Sequence, residues 1–151
     1  NTGMVLVEAA SSLTVNGALT NDGTVRVAGG NLTARNDWTS NGTIRVGPGP
    51  FIDLKANLAQ SATSTFVSTI RSTADDGYGK LIVDGTATLD GTLRIEFEDT
   101  YTPSVGDSFA VLQYGNRVGD FGLIEVPSLA PGLQIVAFYK ESFLNIVVQQ
   151  Q

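Results

Sequence analysis

Asn21-Asp22-Gly23-Thr24-Val25-Arg26-Val27 returns downstream as Asn41-Gly42-Thr43-Ile44-Arg45-Val46, with the two Gly-Thr pairs 19 residues apart. Alternation within each copy puts Val25 and Val27, then Ile44 and Val46, on one face of a strand, and Thr24, Arg26, Thr43 and Arg45 on the other. The similarity extends outwards. Leu13 stands ten residues before Gly23, Leu32 ten before Gly42, and Leu81 ten before Gly91 of Gly91-Thr92-Leu93-Arg94-Ile95. Asn1-Thr2-Gly3-Met4-Val5-Leu6-Val7 is a degenerate copy at an offset of 20, and Ser64-Thr65-Phe66-Val67 is another. A period near 20 is too short for helical repeats or propeller blades, and the leucine pattern of leucine-rich repeats is missing. It suits a parallel β-helix, in which successive strands stack roughly 4.8 Å apart and like residues form apolar columns.

Asn16-Gly17, Asn21, Gly29-Gly30, Asn41-Gly42 and Gly47-Pro48-Gly49-Pro50 read as corners, on the expectation that Asn and Gly supply positive φ there. The two prolines of the last corner cannot donate to a ladder, so the regular stack is expected to end at it. From Gly77 the pattern changes. Lys80–Val83, Ala87–Leu89, Thr92–Phe97, Ser108–Leu112, Leu133–Phe138 and Phe143–Val148 read as strands, with Asp84-Gly85, Asp90-Gly91 and Val105-Gly106-Asp107 as hairpin-like turns. No segment has helical periodicity. The expected fold class is all-β: a short parallel β-helix (solenoid) stack over residues 1–76, then a small antiparallel or mixed, β-sandwich-like cap over 77–151, packed continuously on the stack.

Composition narrows the function. The chain has 151 residues, 42% apolar and 16% charged, with 17 glycines, enough for a packed core. Fifteen acids against nine bases give a net charge of −6 with no basic block, which argues against nucleic acid as a partner. Cysteine and histidine are both absent, so disulfides, thiolate metal sites and the commonest general base are excluded. No apolar run reaches the roughly 20 residues of a membrane-spanning helix. The chain starts at Asn1, without an initiator Met or a signal-like segment, as a processed product or a piece of a longer chain would. An acidic, cysteine-free, Ser/Thr/Asn/Gly-rich composition suits a secreted, extracellular bacterial protein.

Leu81–Leu93, followed by Tyr101-Thr102-Pro103, Gly106-Asp107-Ser108-Phe109, Gly119-Asp120-Phe121 and Leu129-Ala130-Pro131-Gly132-Leu133, resembles the C-terminal region of bacterial autotransporter-like and filamentous-haemagglutinin-like β-helix surface proteins. The resemblance covers residues 77 to 148 and consists of turns and core positions. It implies an exported, structural or adhesive cell-surface role and no chemistry.

Several groups invite a site. Arg26 and Arg45 stack as like charges; they either meet carboxylates of a neighbouring subunit or extend into water. Met4 and Leu6 occupy the positions of Thr24 and Arg26, so the first strand, Met4-Val5-Leu6-Val7, is apolar on both faces. Phe143, Leu144, Ile146, Val147 and Val148 likewise leave little polar face on the last. A strand of that kind expects cover on both sides. All these residues, with Arg26 and Arg45, form the expected self-association set; the alternative is that the C-terminal unit folds over the first strand within one chain. The acid runs Asp75-Asp76, Glu96/Glu98/Asp99 and Asp84 with Asp90 lack the spacing of a calcium loop. Trp38, Tyr78, Tyr101, Tyr114 and Tyr139 read as core or corner residues before a sugar-stacking surface. Asn31-Leu32-Thr33 and Asn41-Gly42-Thr43 match the glycosylation sequon, as a repeat rich in Asn and Thr will.

The expectation is therefore a non-enzymatic secreted structural protein without cofactor or metal, self-assembling head to tail into a filament, sheath or matrix. An adhesin or surface-glycan-binding module is the first alternative, and a non-catalytic fragment of a β-helix polysaccharide lyase the second.

Overall fold

The computed structural model describes residues 1–49 and 51–151. Among them there is no helix; the chain is all-β. In chain order the strands are β1 Met4–Glu8, β2 Ser12–Val15, β3 Leu19–Asn21, β4 Thr24–Ala28, β5 Asn31–Ala34, β6 Trp38–Ser40, β7 Thr43–Val46, β8 Phe51–Leu54 and β9 Leu58–Gln60. Longer strands follow: β10 Thr65–Ile70, β11 Lys80–Thr88, β12 Thr92–Phe97, β13 Ser108–Val118, β14 Leu123–Glu125, β15 Leu133–Tyr139 and β16 Phe143–Gln150.

One sheet runs β1-β4-β7-β10-β12-β14, and every neighbouring pair in it is parallel. Its register is that of the sequence repeat. Val5, Val25, Ile44, Phe66, Leu93 and Ile124 form one inward row, and Val7, Val27, Val46, Ser68 and Ile95 the next. Val25, Val27, Ile44 and Val46 are fully buried. At roughly 1.5–3 kcal/mol for each fully buried aliphatic side chain, these rows are the main local source of stability. Outward, Met4, Thr24, Thr43, Thr65, Thr92 and Leu123 share one row.

The second sheet runs β15-β16-β13-β11-β8-β5-β2, with β3, β6 and β9 paired in parallel and joined to the second half of β11. Leu13, Leu32, Ile52, Leu81, Leu112 and Leu144 form one row through it. The leucines spaced ten residues before each glycine thus meet across strands. A single buried cluster runs from Val7 to Val148.

Four expectations need correction. Gly23 and Gly42 do not have positive φ. A Cβ on Gly23 would lie 2.1 Å from the Gly3 carbonyl oxygen, and one on Gly42 2.1 Å from that of Gly23. Thr24 and Thr43 N–H groups donate to those same oxygens at 2.8 Å, so glycine is required by close backbone approach. Asn21 also works by hydrogen bonding: buried, it accepts from Asn1 Nδ2 at 2.9 Å and donates to the Thr43 carbonyl at 3.1 Å, bridging successive levels.

Second, the Gly47–Pro50 corner does not end the parallel ladder, because β7 before it pairs directly with β10 after it, Thr43 opposite Thr65. Pro50 itself lies outside the described residues. A corner between sheets needs no ladder donors, so proline there costs the ladder nothing.

Third, Asp84-Gly85 is not a hairpin turn. It lies inside β11, where the register with β13 shifts between Val83 and Thr86. Gly85 is packed against its neighbours: an added Cβ would meet Asn57 Oδ1 at 2.3 Å and the Ala56 carbonyl at 2.8 Å. The strand bends there while staying paired.

Fourth, the strands after Gly77 are not chiefly hairpin-linked. β11 to β14 continue the parallel ladders, and antiparallel pairing is confined to β16 with β13 and β15.

Candidate functional site

β1 stands at the edge of its sheet. One side pairs with β4, and no described strand pairs with the other, which leaves a row of backbone N–H and C=O groups open. Its inner residues are Val5, half-buried, and Val7, buried. Its outer residues Met4 and Leu6 are 64% and 45% exposed, where inner levels carry Thr and Arg. The apolar outer face predicted for Met4-Val5-Leu6-Val7 is therefore present and uncovered. The C-terminal unit does not fold over it, since β16 and β15 lie at the opposite end of the other sheet from β2.

The last strand differs. β16 has β13 on one side and β15 on the other, both antiparallel, so neither edge is free. Leu144, Ile146 and Val148 are fully buried, and Phe143 and Val147 are half-buried. Of these five residues expected in a self-association surface, Leu144, Ile146 and Val148 have their cover within the chain, and Phe143 and Val147 keep part of their surface open.

Arg26 and Arg45 lie in register on adjacent strands, in a row that runs Leu6, Arg26, Arg45, Val67, Arg94, Glu125. Arg45 makes a two-pronged ion pair with Glu96 of the same chain, at 2.6 and 3.3 Å. Arg94 pairs with Glu125 at 2.6 Å. Val67 stands between these two arginines in the outward row and is fully buried. Arg26 is exposed and has no carboxylate partner among the described residues. Beside it opens a cavity of about 280 Å³, walled by Arg26, Arg45, Arg71 and Glu98, with Ala28 and Pro48 on its apolar side. Arg71 and Glu98 fall outside the repeat, and nothing in their local sequence marks them as partners of Arg26.

The acid runs are dispersed. Asp75 pairs with Lys80, Glu96 with Arg45, and Asp84 with Lys55 at 3.6 Å. Lys55 is held above the ordinary lysine value, first by its hydrogen bond to the Asp53 carboxylate at 2.7 Å. Among the described residues no three His, Cys, Asp or Glu side chains converge as metal ligands.

The aromatic residues are structural. Trp38 is fully buried, and Tyr78 and Tyr114 nearly so. Tyr114 donates to the Lys140 carbonyl at 2.6 Å, Tyr139 accepts from the Phe121 N–H at 3.0 Å, and Tyr101 is hydrogen-bonded to Asp107. Burial pushes all three phenols above the usual tyrosine value, with the Asp107 carboxylate adding to the shift of Tyr101. Of the two sequons, Asn31 is exposed, whereas Asn41 Nδ2 is engaged with Asp22 at 2.7 Å.

No protein-family model matches the sequence, and no curated protein matches it.

Proposed function

We propose that the chain is an exported, non-enzymatic structural module of a bacterial cell surface: a short parallel β-helix, capped at one end, that associates with a second copy through its first level. The parallel ladders, the period near 20 and the in-register apolar rows support the solenoid reading. The resemblance of residues 77 to 148 to autotransporter-like and filamentous-haemagglutinin-like surface proteins supports the compartment. Rigidity is the working property, since continuous ladders and one contiguous core resist bending and proteolysis.

The observation that carries the association is the contrast between an open β1 edge bearing exposed Met4 and Leu6 and a β16 with both edges paired. β14 and β15 end the two sheets at the far end; pairing of β1 with a second β1 uses like edges about a two-fold axis and closes on itself, in place of the head-to-tail filament expected from sequence. Antiparallel pairing of β1 with β1 of a second copy, with the two-fold axis at Leu6, sets Leu6 against Leu6 outside and Val5 against Val7 inside. Each copy carries a net charge of −6, so salt should strengthen the pair by screening.

Light scattering coupled to size-exclusion chromatography tests this. Native protein should run as a dimer at high concentration, more completely in salt, and Met4→Lys/Leu6→Lys should run as a monomer with the far-UV circular dichroism of the native fold. A native monomer at every concentration overturns the proposal.

A further inference from the structure

The cavity beside Arg26 opens on β4, one strand in from the β1 edge, and its chemistry is that of an anion site. Adjacent strands set Arg26 and Arg45 in register, an arrangement that costs free energy unless negative charge lies nearby. Glu96 answers Arg45 alone, gripping it with both carboxylate oxygens. Arg26 is left without a carboxylate, and Arg71 makes one contact, at the long distance of 3.5 Å, to the backbone carbonyl of Asp76. All three guanidiniums line one cavity of about 280 Å³. In a chain with nine basic residues and a net charge of −6, a third of the basic side chains converge on this place.

We infer that this cavity binds the carboxylate of an acidic sugar, with Arg26 and Arg71 as the anion donors and Arg45, fixed by Glu96, as the third wall. Three guanidiniums against the carboxylates of Glu96 and Glu98 leave a single positive charge, which suits a monoanion better than a phosphate dianion. Planar guanidinium forks match a planar carboxylate with two parallel hydrogen bonds. Glu98, on the rim, accepts hydrogen bonds, the complement of a sugar hydroxyl. Ala28 and Pro48 present C–H surface to the sugar ring. The volume admits about one ring and not an extended chain, so recognition falls on a single hexuronate residue, free or within a polysaccharide.

Calorimetric titration of the native protein with a hexuronic acid trisaccharide, the matching neutral trisaccharide and inorganic phosphate tests the assignment. Binding is expected for the acidic trimer alone. Arg26→Gln and Arg71→Gln should each weaken it roughly tenfold, the effect of losing one charge-assisted pair, while far-UV circular dichroism and Tm stay native. A free hexuronate monosaccharide bound as tightly as the trimer assigns the site to one ring, as expected. No binding of the acidic trimer overturns the inference, and so does equal affinity for the neutral trimer, tighter binding of phosphate, or undiminished affinity in folded Arg26→Gln and Arg71→Gln.

Discussion

The two ends of the molecule share one apolar row but are built differently, from a repeat strand at the first and an antiparallel pair at the last. At the first level, Gly3, Met4, Leu6 and Leu13 hold positions that recur through the ladders, yet Met4 and Leu6 are exposed, Leu13 is only half-buried, and nothing lies within 4 Å of where a Cβ on Gly3 would be. At the far end, the row begun by Leu13 finishes in Leu144, fully buried in a strand paired on both sides. The lesson is that a repeat position has no fixed energetic value. Its value comes from the level stacked upon it, so identical residues are dispensable at an open end and critical inside.

Glycine gives the sharpest way to break that comparison. Gly3→Ala meets open space and should leave stability within about 0.5 kcal/mol of native. Gly42→Ala drives a methyl to 2.1 Å from the Gly23 carbonyl oxygen, a backbone atom that also accepts the Thr43 N–H. A loss of roughly 4 kcal/mol or more is expected, because strain and a broken ladder bond add. Urea unfolding of the two variants reads the difference directly. Equal midpoints would mean that the levels are not in the tight backbone contact described.

The leucine row offers a graded version. Leu144→Ala empties a fully buried site and should cost about 2–5 kcal/mol. Leu13→Ala, at the half-buried start of the same row, should cost about 1 kcal/mol. If a second copy covers the first level, the Leu13 penalty grows with protein concentration while that of Leu144 does not. Thermal unfolding at two concentrations distinguishes the cases.

How much of this was legible in sequence depends on whether the signal was local. Val25, Val27, Ile44 and Val46 could be placed because inward and outward residues alternate, and the ladder then repeats one copy upon the next. Gly23 and Gly42 stood out as positions, but their reason did not, because close approach involves a carbonyl about 20 residues away and leaves the same trace as a positive φ. Asp84-Gly85 has the composition of a hairpin turn, and a bend inside a paired strand uses the same residues. β14, only three residues long, offers too little periodicity to be read at all. The candidate sites divide in the same way. Met4 and Leu6 were visible as apolar residues at polar positions of a repeat, whereas Arg71 and Glu98 reach the Arg26 cavity from segments with no repeat to align. The buried amide of Gln60 is a further case. It continues the inner polar row of Asn21 and Ser40, but its side chain finds no hydrogen-bond partner, and nothing in Leu58-Ala59-Gln60 announces that.

The smallest effect separates the two ends by pH. All four tyrosines lie beyond residue 77, and Tyr101, Tyr114 and Tyr139 hold their protons above the ordinary tyrosine value of 10.0, chiefly through burial. A folded-state pKa raised above the unfolded one means that the unfolded chain gives up protons first as pH climbs. Stability is then full below about pH 10 and falls as pH rises past it. Tm should drop by several degrees between about pH 9 and about pH 11, with a shallower drop in Tyr101→Phe, whose phenol carries the largest displacement. Hydrogen exchange followed across that range should loosen β13, β15 and β16 before β4 and β7. Exchange that rises first in β4 and β7, or a Tyr101→Phe slope equal to the native one, would place the alkaline weakness elsewhere than in the covered end.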